Sequence, residues 1–301
     1  MSKSEKNFER WVSPEFYSWT YQIFKGHDSE LAKIWSSHQT AFKYVFRQLG
    51  ETSVRPEDSL TAVFDKPQLD QYRIATVDDW VSSYNQFDYW VNLTAALTIA
   101  SNLETYLASA INLAIDSDPG LLVGDSRSID GAKIIKRKHK IYFSTSNILE
   151  SCTRGSWSTR LDAIEKILHD AVTPLRSIHS DLDELRVTRN KFGHAFGRDI
   201  KQARKIGTLD ILPMQKLKTK KVNNWRNKII NAVKVFDRKI LERHIGDFDA
   251  VALYGRLYRN WPTHVPVEQR AIYFKAAIAQ HGAALRGKKY CKQLARYWEG
   301  L

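Results

Sequence analysis

Residues 185–194 read LRVTRNKFGH and close a segment in which apolar side chains recur every three or four positions. This spacing is typical of one face of an α-helix, so a helix is predicted to begin near Pro174 and to run to the end of the segment. The apolar stripe, continued along the helix, arrives at Arg189, while Asn190 and His194 are neighbours on an adjacent face. The segment therefore predicts a long amphipathic helix that ends in an arginine, an amide and a histidine.

Arg189 and His194 are five residues apart, which places them about 140° apart around an ideal helix axis. We therefore expect Gly193 to mark a local break that turns the histidine toward the arginine.

A second long helix is predicted over about 79–115, where the apolar stripe consists of Leu93, Leu97, Ala100, Leu107, Ile111 and Ala114. Glu104 falls inside this stripe. A carboxylate and an arginine that both face the core incur the smallest free-energy cost when they pair with each other, so Glu104 is expected to pair with Arg189. The alternative is a glutamate at the edge of the stripe that reaches water or accepts from another buried donor.

The remaining pattern is also helical. Residues 1 to about 50 are predicted to be helical, with Gly50 as a helix stop, and another helix runs from Val222 to near Gly246. The pattern is broken from 51 to about 75. We therefore predict an all-α protein, with a helical bundle over 76–250, an N-terminal helical extension over 1–75 and a basic C-terminal helical extension over 251–301.

Composition narrows the class of protein. Lys and Arg number 46 against 33 Asp and Glu, a net charge of +13, and such a surplus favours binding to polyanions. A basic protein without a polyanionic partner is the alternative. Cys152 and Cys291 lack the spacing of a zinc site, and no glycine-rich phosphate loop is present, so no metal or cofactor is predicted. No membrane span or secretory signal is visible, which predicts a cytoplasmic protein.

Several basic residues are predicted to contact RNA, namely Lys136, Arg137, Lys138, Lys191, Lys201, Arg204 and Lys205. For the run around residue 136, a solvated helix face is the alternative. Basic and aromatic residues also alternate over 286–298, a pattern that suits single-stranded nucleic acid and a docked amphipathic helix equally well.

Arginine and histidine together suit one kind of chemistry. A histidine can move a proton while an arginine holds negative charge on phosphorus, which is the minimum needed to cleave RNA without a metal.

Three segments together resemble a HEPN domain, namely residues 101–107 (SNLETYL), 185–194 and 229–245. The resemblance covers about 76–250 and includes the Arg-x4–6-His signature of HEPN ribonucleases at Arg189 and His194. Asn190, a polar residue directly after the arginine, matches the catalytic pattern of that family. Some members continue His-x-Tyr, whereas this chain has Phe196 in place of the tyrosine.

The resemblance implies a metal-independent endoribonuclease of toxin or antiviral-defence type, whose active site forms across a two-fold homodimer. Arg189, Asn190, His194 and Glu104 are the expected catalytic residues. Attack by a 2′-hydroxyl would leave 2′,3′-cyclic phosphate and 5′-hydroxyl ends. The expected partners are RNA and an antitoxin or regulatory protein. Two alternatives are a non-enzymatic HEPN-like module that binds RNA or protein, and a DNA-binding helical protein, for which no recognition helix is evident.

Overall fold

The computed structural model describes residues 8–64, 74–137, 145–195, 198, 212–262, 264–280 and 286–301. Four of the predicted RNA-contacting residues, Lys138, Lys201, Arg204 and Lys205, lie outside the described residues. The side chain of His194 lies outside them as well, although its backbone belongs to a described helix.

The fold is all-α, as predicted. In chain order the helices are α1 (Trp19–Glu51), α2 (Val77–Ser117), α3 (Gly131–Lys136), α4 (Ser146–Thr153), α5 (Trp157–Leu168), α6 (Thr173–Arg176), α7 (His179–Ala195), α8 (Thr219–Ile240), α9 (Phe248–Tyr258), α10 (Val267–Gln280) and α11 (Lys288–Gly300). Short 3-10 turns cover Leu60–Ala62, Pro119–Val123 and His169–Val172, and α8 continues into a π turn over Leu241–Ile245. No strand occurs among the described residues, only an isolated bridge between Ser59 and Thr76.

Helices α2 and α8 form where the apolar pattern predicts them, whereas α1 begins only at Trp19, although helix was predicted from residue 1. Helix α2 extends two residues beyond each end of the predicted 79–115. The predicted face of α8 is buried at every position, namely Val222, Trp225, Ile229, Val233, Phe236 and Ile240.

The helix predicted from Pro174 to His194 is wrong at its beginning. The chain forms the short α6, and α7 starts only at His179. The interruption has a local cause, because the Ser177 hydroxyl donates to the Pro174 carbonyl at 2.7 Å and the Ile178 amide bonds three residues back to Leu175. Side-chain competition and a 3-10 bond thus replace the regular helical ladder.

The chain divides into two compact units. Unit 1 comprises Met1–Phe24, Glu104–His179 and Ile229–Leu301, and unit 2 comprises Lys25–Leu103 and Ser180–Lys228. Helices α1, α2 and α8 each contribute residues to both units. This division follows packing, and the three segments proposed from the sequence remain a prediction.

In unit 1, the N-terminal residues are fixed by buried polar contacts. The Arg10 guanidinium pairs with Asp130 at 3.0 Å and donates to the Ser117 hydroxyl at 2.8 Å and to the Ile245 carbonyl at 3.1 Å. Gly246, at a φ of 56°, lets the chain pass so close to the Arg10 carbonyl that a β-carbon would collide with it. The segment before α1 is therefore part of the unit 1 core.

The last helices of unit 1 enclose an apolar cluster. Helices α9, α10 and α11 pack together, and α3 packs on α9. Cys291, Leu294, Ala295 and Trp298 form the buried face of α11, and a side chain at Gly255 would occupy the space of the Trp298 ring. The basic and aromatic pattern over 286–298 thus encodes a docked amphipathic helix, and its basic residues lie on the opposite face.

Unit 2 is built from parts of α1, α2, α7 and α8. Its buried side chains include Trp35, Leu93, Ala96, Leu182, Leu185, Leu217, Val222 and Trp225. Arg226 on α8 forms a two-bond contact with Asp28 on α1, at 2.6 Å from Nε and 2.5 Å from Nη2. This fork geometry fixes the two helices against each other.

Two carboxyls of unit 1, the buried Asp247 and the half-buried Asp249, carry raised pKa values. Burial raises the pKa of both Asp247 and Asp249 to about 6, although Arg286 opposes the shift at Asp247 and the Trp19 amide opposes it at Asp249. Because the folded state then holds protons more tightly than the unfolded state between about pH 4 and pH 6, these groups lower stability as the pH rises through that window.

We expect Asp249→Asn to stabilise the protein by about 1 to 3 kcal/mol at pH 7.5 and to leave it nearly unchanged at pH 4. The asparagine oxygen can still accept the Trp19 amide, which lies 3.2 Å from the carboxylate. Urea unfolding at both pH values measures the effect. Asp125→Asn, which removes an exposed carboxylate, is the control, and equal stabilisation by both variants would contradict the prediction.

Candidate functional site

Helix α7 carries the predicted motif and is aligned by ion pairs to α8 within unit 2. Asp181 pairs with Lys228 at 2.6 Å, and Glu184 pairs with Lys221 at 2.5 Å. Since the residue numbers rise along one helix and fall along the other, the two helices run antiparallel. The carboxyl end of α7, with the motif, therefore lies at the same end of unit 2 as the amino end of α8.

Arg189 lies at the edge of the buried stripe of α7. Leu182, Leu185 and Thr188 are buried, whereas Arg189 and Asn190 are half-buried. The Arg189 Nη1 donates to the Asn190 Oδ1 at 3.4 Å. The amide thus helps to orient the guanidinium, which remains partly accessible to solvent.

The expected break at Gly193 is wrong, because α7 stays helical through Gly193 to Ala195. Positions 189 and 194 therefore remain about 140° apart around the helix axis. A single isolated glycine lowers helix stability without interrupting the hydrogen-bond ladder. Within one copy of the chain, the helix presents these two positions in different directions.

The motif end of α7 contacts an exposed pair of aromatic residues. The Phe192 ring lies edge-on to Trp90 with centroids 6.4 Å apart, and Trp90 stacks with Phe87 at 6.3 Å. Phe87 and Trp90 are 45% and 43% exposed. Large aromatic side chains at that exposure beside a predicted active site are typical of a protein–protein contact.

A polar network at the same end was not found from the sequence. The Asp88 carboxylate accepts from His38 at 3.0 Å and Gln39 at 2.9 Å, and its other oxygen accepts from Asn92 at 3.1 Å. Asn92 in turn donates to the Leu217 carbonyl at 3.0 Å, just before α8. These bonds join α1 and α2 to the start of α8. Two polar residues four apart in an apolar helix were the available signal.

The amino end of α8 is basic. Lys216, Lys218 and Lys220 are exposed, and the first turn of α8 contains no acidic residue. A helix amino terminus adds its own partial positive charge. Together with Arg189 and half-buried Lys191, these lysines give this end of unit 2 a positive potential suited to a phosphate backbone.

Glu104, the fourth expected catalytic residue, belongs to unit 1, and Arg189 belongs to unit 2. The Glu104 Oε1 accepts a hydrogen bond from the Arg160 Nη1 at 2.9 Å. The Arg160 side chain is only 5% exposed, against 23% for Glu104. Arg160 was not predicted from the sequence as a partner of Glu104. Its position between Trp157 and Leu161 on an apolar helix face was the available signal of a buried arginine. The pair of Glu104 with Arg189 stays a prediction.

Of the described residues outside α7 that were predicted to contact RNA, Lys136 has a packing role. Its ammonium donates to the Trp298 carbonyl at 2.8 Å and lies 3.9 Å from the Glu299 carboxylate. It also faces the rings of Tyr258 and Trp298. Arg137 is exposed at the end of α3. A role for Lys136 in RNA contact would compete with these bonds.

One cluster in unit 1 contains an exposed serine, a buried histidine and a buried aspartate but lacks the geometry of a catalytic triad. The Ser126 hydroxyl and the Asp118 carboxylate both contact the same nitrogen, Nδ1 of His244, at 3.3 Å and 3.1 Å. Burial alone would raise the pKa of Asp118, but hydrogen bonds from His244, Ser126 and the Arg127 amide bring it below its ordinary value. Among the described residues, no group of His, Cys, Asp or Glu is arranged to hold a metal ion.

Comparison with protein-family models, curated proteins and solved structures found no match. Within the described ranges, no helix is both long and apolar enough to span a bilayer.

We expect a double-mutant cycle between Glu104→Gln and Arg160→Gln to give an interaction energy of about 1 to 3 kcal/mol in unfolding free energy, because the two groups are in direct contact. The matching cycle between Glu104→Gln and Arg189→Gln tests the pair predicted from the sequence. Zero interaction there would remove Glu104 as a partner of Arg189 and leave it as the partner of Arg160.

Proposed function

We propose that this protein is a metal-independent endoribonuclease of toxin or antiviral-defence type, acting in the cytoplasm under the control of an antitoxin or regulatory partner. Arg189, Asn190 and His194 carry the reaction, and Glu104 supports it. The observation that carries the proposal is the placement of Arg189 and Asn190, half-buried and hydrogen-bonded, at the basic end of unit 2. The resemblance to HEPN ribonucleases in the motif adds the assignment of His194.

Each residue has a distinct part in the chemistry. The 2′-hydroxyl of the RNA attacks the adjacent phosphorus, so one group must take its proton and another must protonate the leaving 5′-oxygen. His194 serves in proton transfer, and Arg189 stabilises the negative charge on the phosphoryl oxygens. Asn190 holds the guanidinium in place. Lys191 and the lysines at the start of α8 bind the flanking phosphates.

A homodimer would supply the second proton-transfer group that one copy of the motif lacks. One histidine does not readily act as base and acid at once, and the uninterrupted α7 places positions 189 and 194 on different faces of one copy. A two-fold axis would supply a second histidine and a second arginine from one motif. The exposed Phe87 and Trp90 beside Phe192 support a contact surface close to that axis.

We expect the purified protein to cleave single-stranded RNA in EDTA and to leave 2′,3′-cyclic phosphate and 5′-hydroxyl ends. His194→Ala and Arg189→Ala should each lower the rate at least about 100-fold, the scale of a lost acid–base group or charge stabiliser. Arg186→Ala, one helical turn earlier and paired with Asp183, is the matched control and should retain the rate.

Gel analysis of end-labelled RNA provides the measurement, and circular dichroism verifies folding. Wild-type rates in His194→Ala or Arg189→Ala would contradict the assignment. Loss of all activity in EDTA would contradict the metal-independent mechanism. RNA binding without cleavage in the wild type would favour the non-enzymatic HEPN-like module.

Mixing inactive His194→Ala protein with inactive Arg189→Ala protein should restore a fraction of the activity, still below the wild-type rate, because a heterodimer combines one histidine and one arginine in a shared site but lacks the second histidine. Each variant alone, at the same total concentration, is the control. An active protein that sedimentation shows to be monomeric at the assay concentration would contradict the composite site.

A further inference from the structure

A groove of about 660 Å³ lies in unit 1, between Phe8 and the solvent-facing side of α11. The side chains that line it are mostly basic or aromatic, namely Phe8, Lys288, Lys289, Lys292, Arg296 and Tyr297. None of these residues belongs to the motif on α7, which lies in unit 2. The groove shares no residue with the proposed active site.

The positive charges of the groove follow one row of the helix. Lys288, Lys292 and Arg296 recur every four residues, so their side chains are neighbours on the same face. Like charges at this spacing destabilise a helix, and the first turn of α11 contains no acidic residue to offset them. Arg296 has an exposed partner in Glu268 at 3.4 Å, a contact that solvent weakens. An anion in the groove would relieve this repulsion.

The groove also contains an aromatic surface. The rings of Phe8 and Tyr297 lie 4.9 Å apart and are tilted by 49°. Both residues are half-buried, so their rings are held by the protein while part of their surface faces the groove. The Tyr297 hydroxyl contacts Asp130 at 3.3 Å, which fixes the ring. Aromatic surface beside a row of cations is the pattern that proteins use to bind single-stranded nucleic acid.

The scaffold under the groove is rigid. Leu294 and Trp298 anchor the opposite face of α11 in the core, and Arg286, just before the helix, pairs with buried Asp247 at 2.6 Å. A site formed on a fixed helix binds with little loss of conformational freedom.

We propose that this groove binds single-stranded RNA. The phosphates lie along Lys288, Lys292 and Arg296, and an unstacked base packs on the surface formed by Phe8 and Tyr297. The choice of RNA rests on the proposed function, whereas the preference for a single-stranded polyanion rests on the groove itself. The groove thus gives the substrate a second contact surface, independent of the catalytic residues.

The test measures binding in a His194→Ala background, so that RNA is not consumed. Fluorescence anisotropy of a labelled oligouridine should show that Lys288→Ala, Lys292→Ala and Arg296→Ala together weaken binding at least tenfold. The slope of log affinity against log salt should fall by about 2, since each lost phosphate contact contributes about 0.7. The matched control removes three other exposed cations of unit 1, with Lys166→Ala, Arg256→Ala and Lys275→Ala. Its affinity should change less than threefold.

Phe8→Leu tests the base contact, because it keeps apolar packing and removes the ring. It should weaken oligouridine binding several-fold and leave the salt slope unchanged. Equal losses in the groove triple variant and the control triple variant would overturn the proposal. Polyglutamate that competes as strongly as RNA at matched charge, with no effect of Phe8→Leu, would also overturn it in favour of an acidic protein partner. Intact binding without any cleavage by the wild type would overturn only the nuclease proposal.

Discussion

Burying an arginine obliges the fold to supply a carboxylate, and this constraint organises unit 1. Among the described residues, four arginines are buried, and each meets an acid: Arg10 with Asp130, Arg160 with Glu104, Arg270 with Glu299 and Arg286 with Asp247. An unpaired buried charge costs several kcal/mol, so loss of any of these acidic partners would destabilise the segment that the pair fixes. The pairs fix the N-terminal segment to the start of α3, α5 to α2, α10 to α11, and the segment just before α11 to the residue before α9.

The proposed active site depends on a different arrangement in unit 2. In unit 2, Asp181 and Glu184 lie near the beginning of α7 and form ion pairs with lysines of α8. The carboxyl end of α7 is left with arginine, lysine and histidine, which are the residues that a helix carboxyl terminus stabilises. The polar network around Asp88 and Asn92 fixes the start of α8 beside it. The basic end is thus positioned by contacts that involve none of the proposed catalytic residues.

The excess basic residues of the chain lie in two kinds of environment. Part of this excess is paired within the protein, as at half-buried Lys136, which lies 3.9 Å from the Glu299 carboxylate and donates to the Trp298 carbonyl. Another part is concentrated on exposed surfaces, at the start of α8 and along the outer row of α11. Only the second part can attract a polyanion, since buried and paired cations release no counterions when a polyanion binds. Net charge alone therefore overstates the basic surface that a polyanion could reach.

Hydrophobic periodicity was enough to predict the all-α class, the bounds of α2 to within two residues and the buried face of α8, because these depend on side-chain spacing along one helix. Periodicity could not predict the break before α7, which comes from a hydroxyl and a 3-10 bond, nor the uninterrupted helix at Gly193. The composition of residues 286–298 fitted two interpretations, and only packing separated the buried Trp298 face from the basic face. Arg160 as a partner of Glu104, and Asp88 as a partner of His38, were decided by the tertiary structure. Contacts between residues about 50 positions apart depend on how helices pack, and a single sequence does not encode that packing in any local pattern.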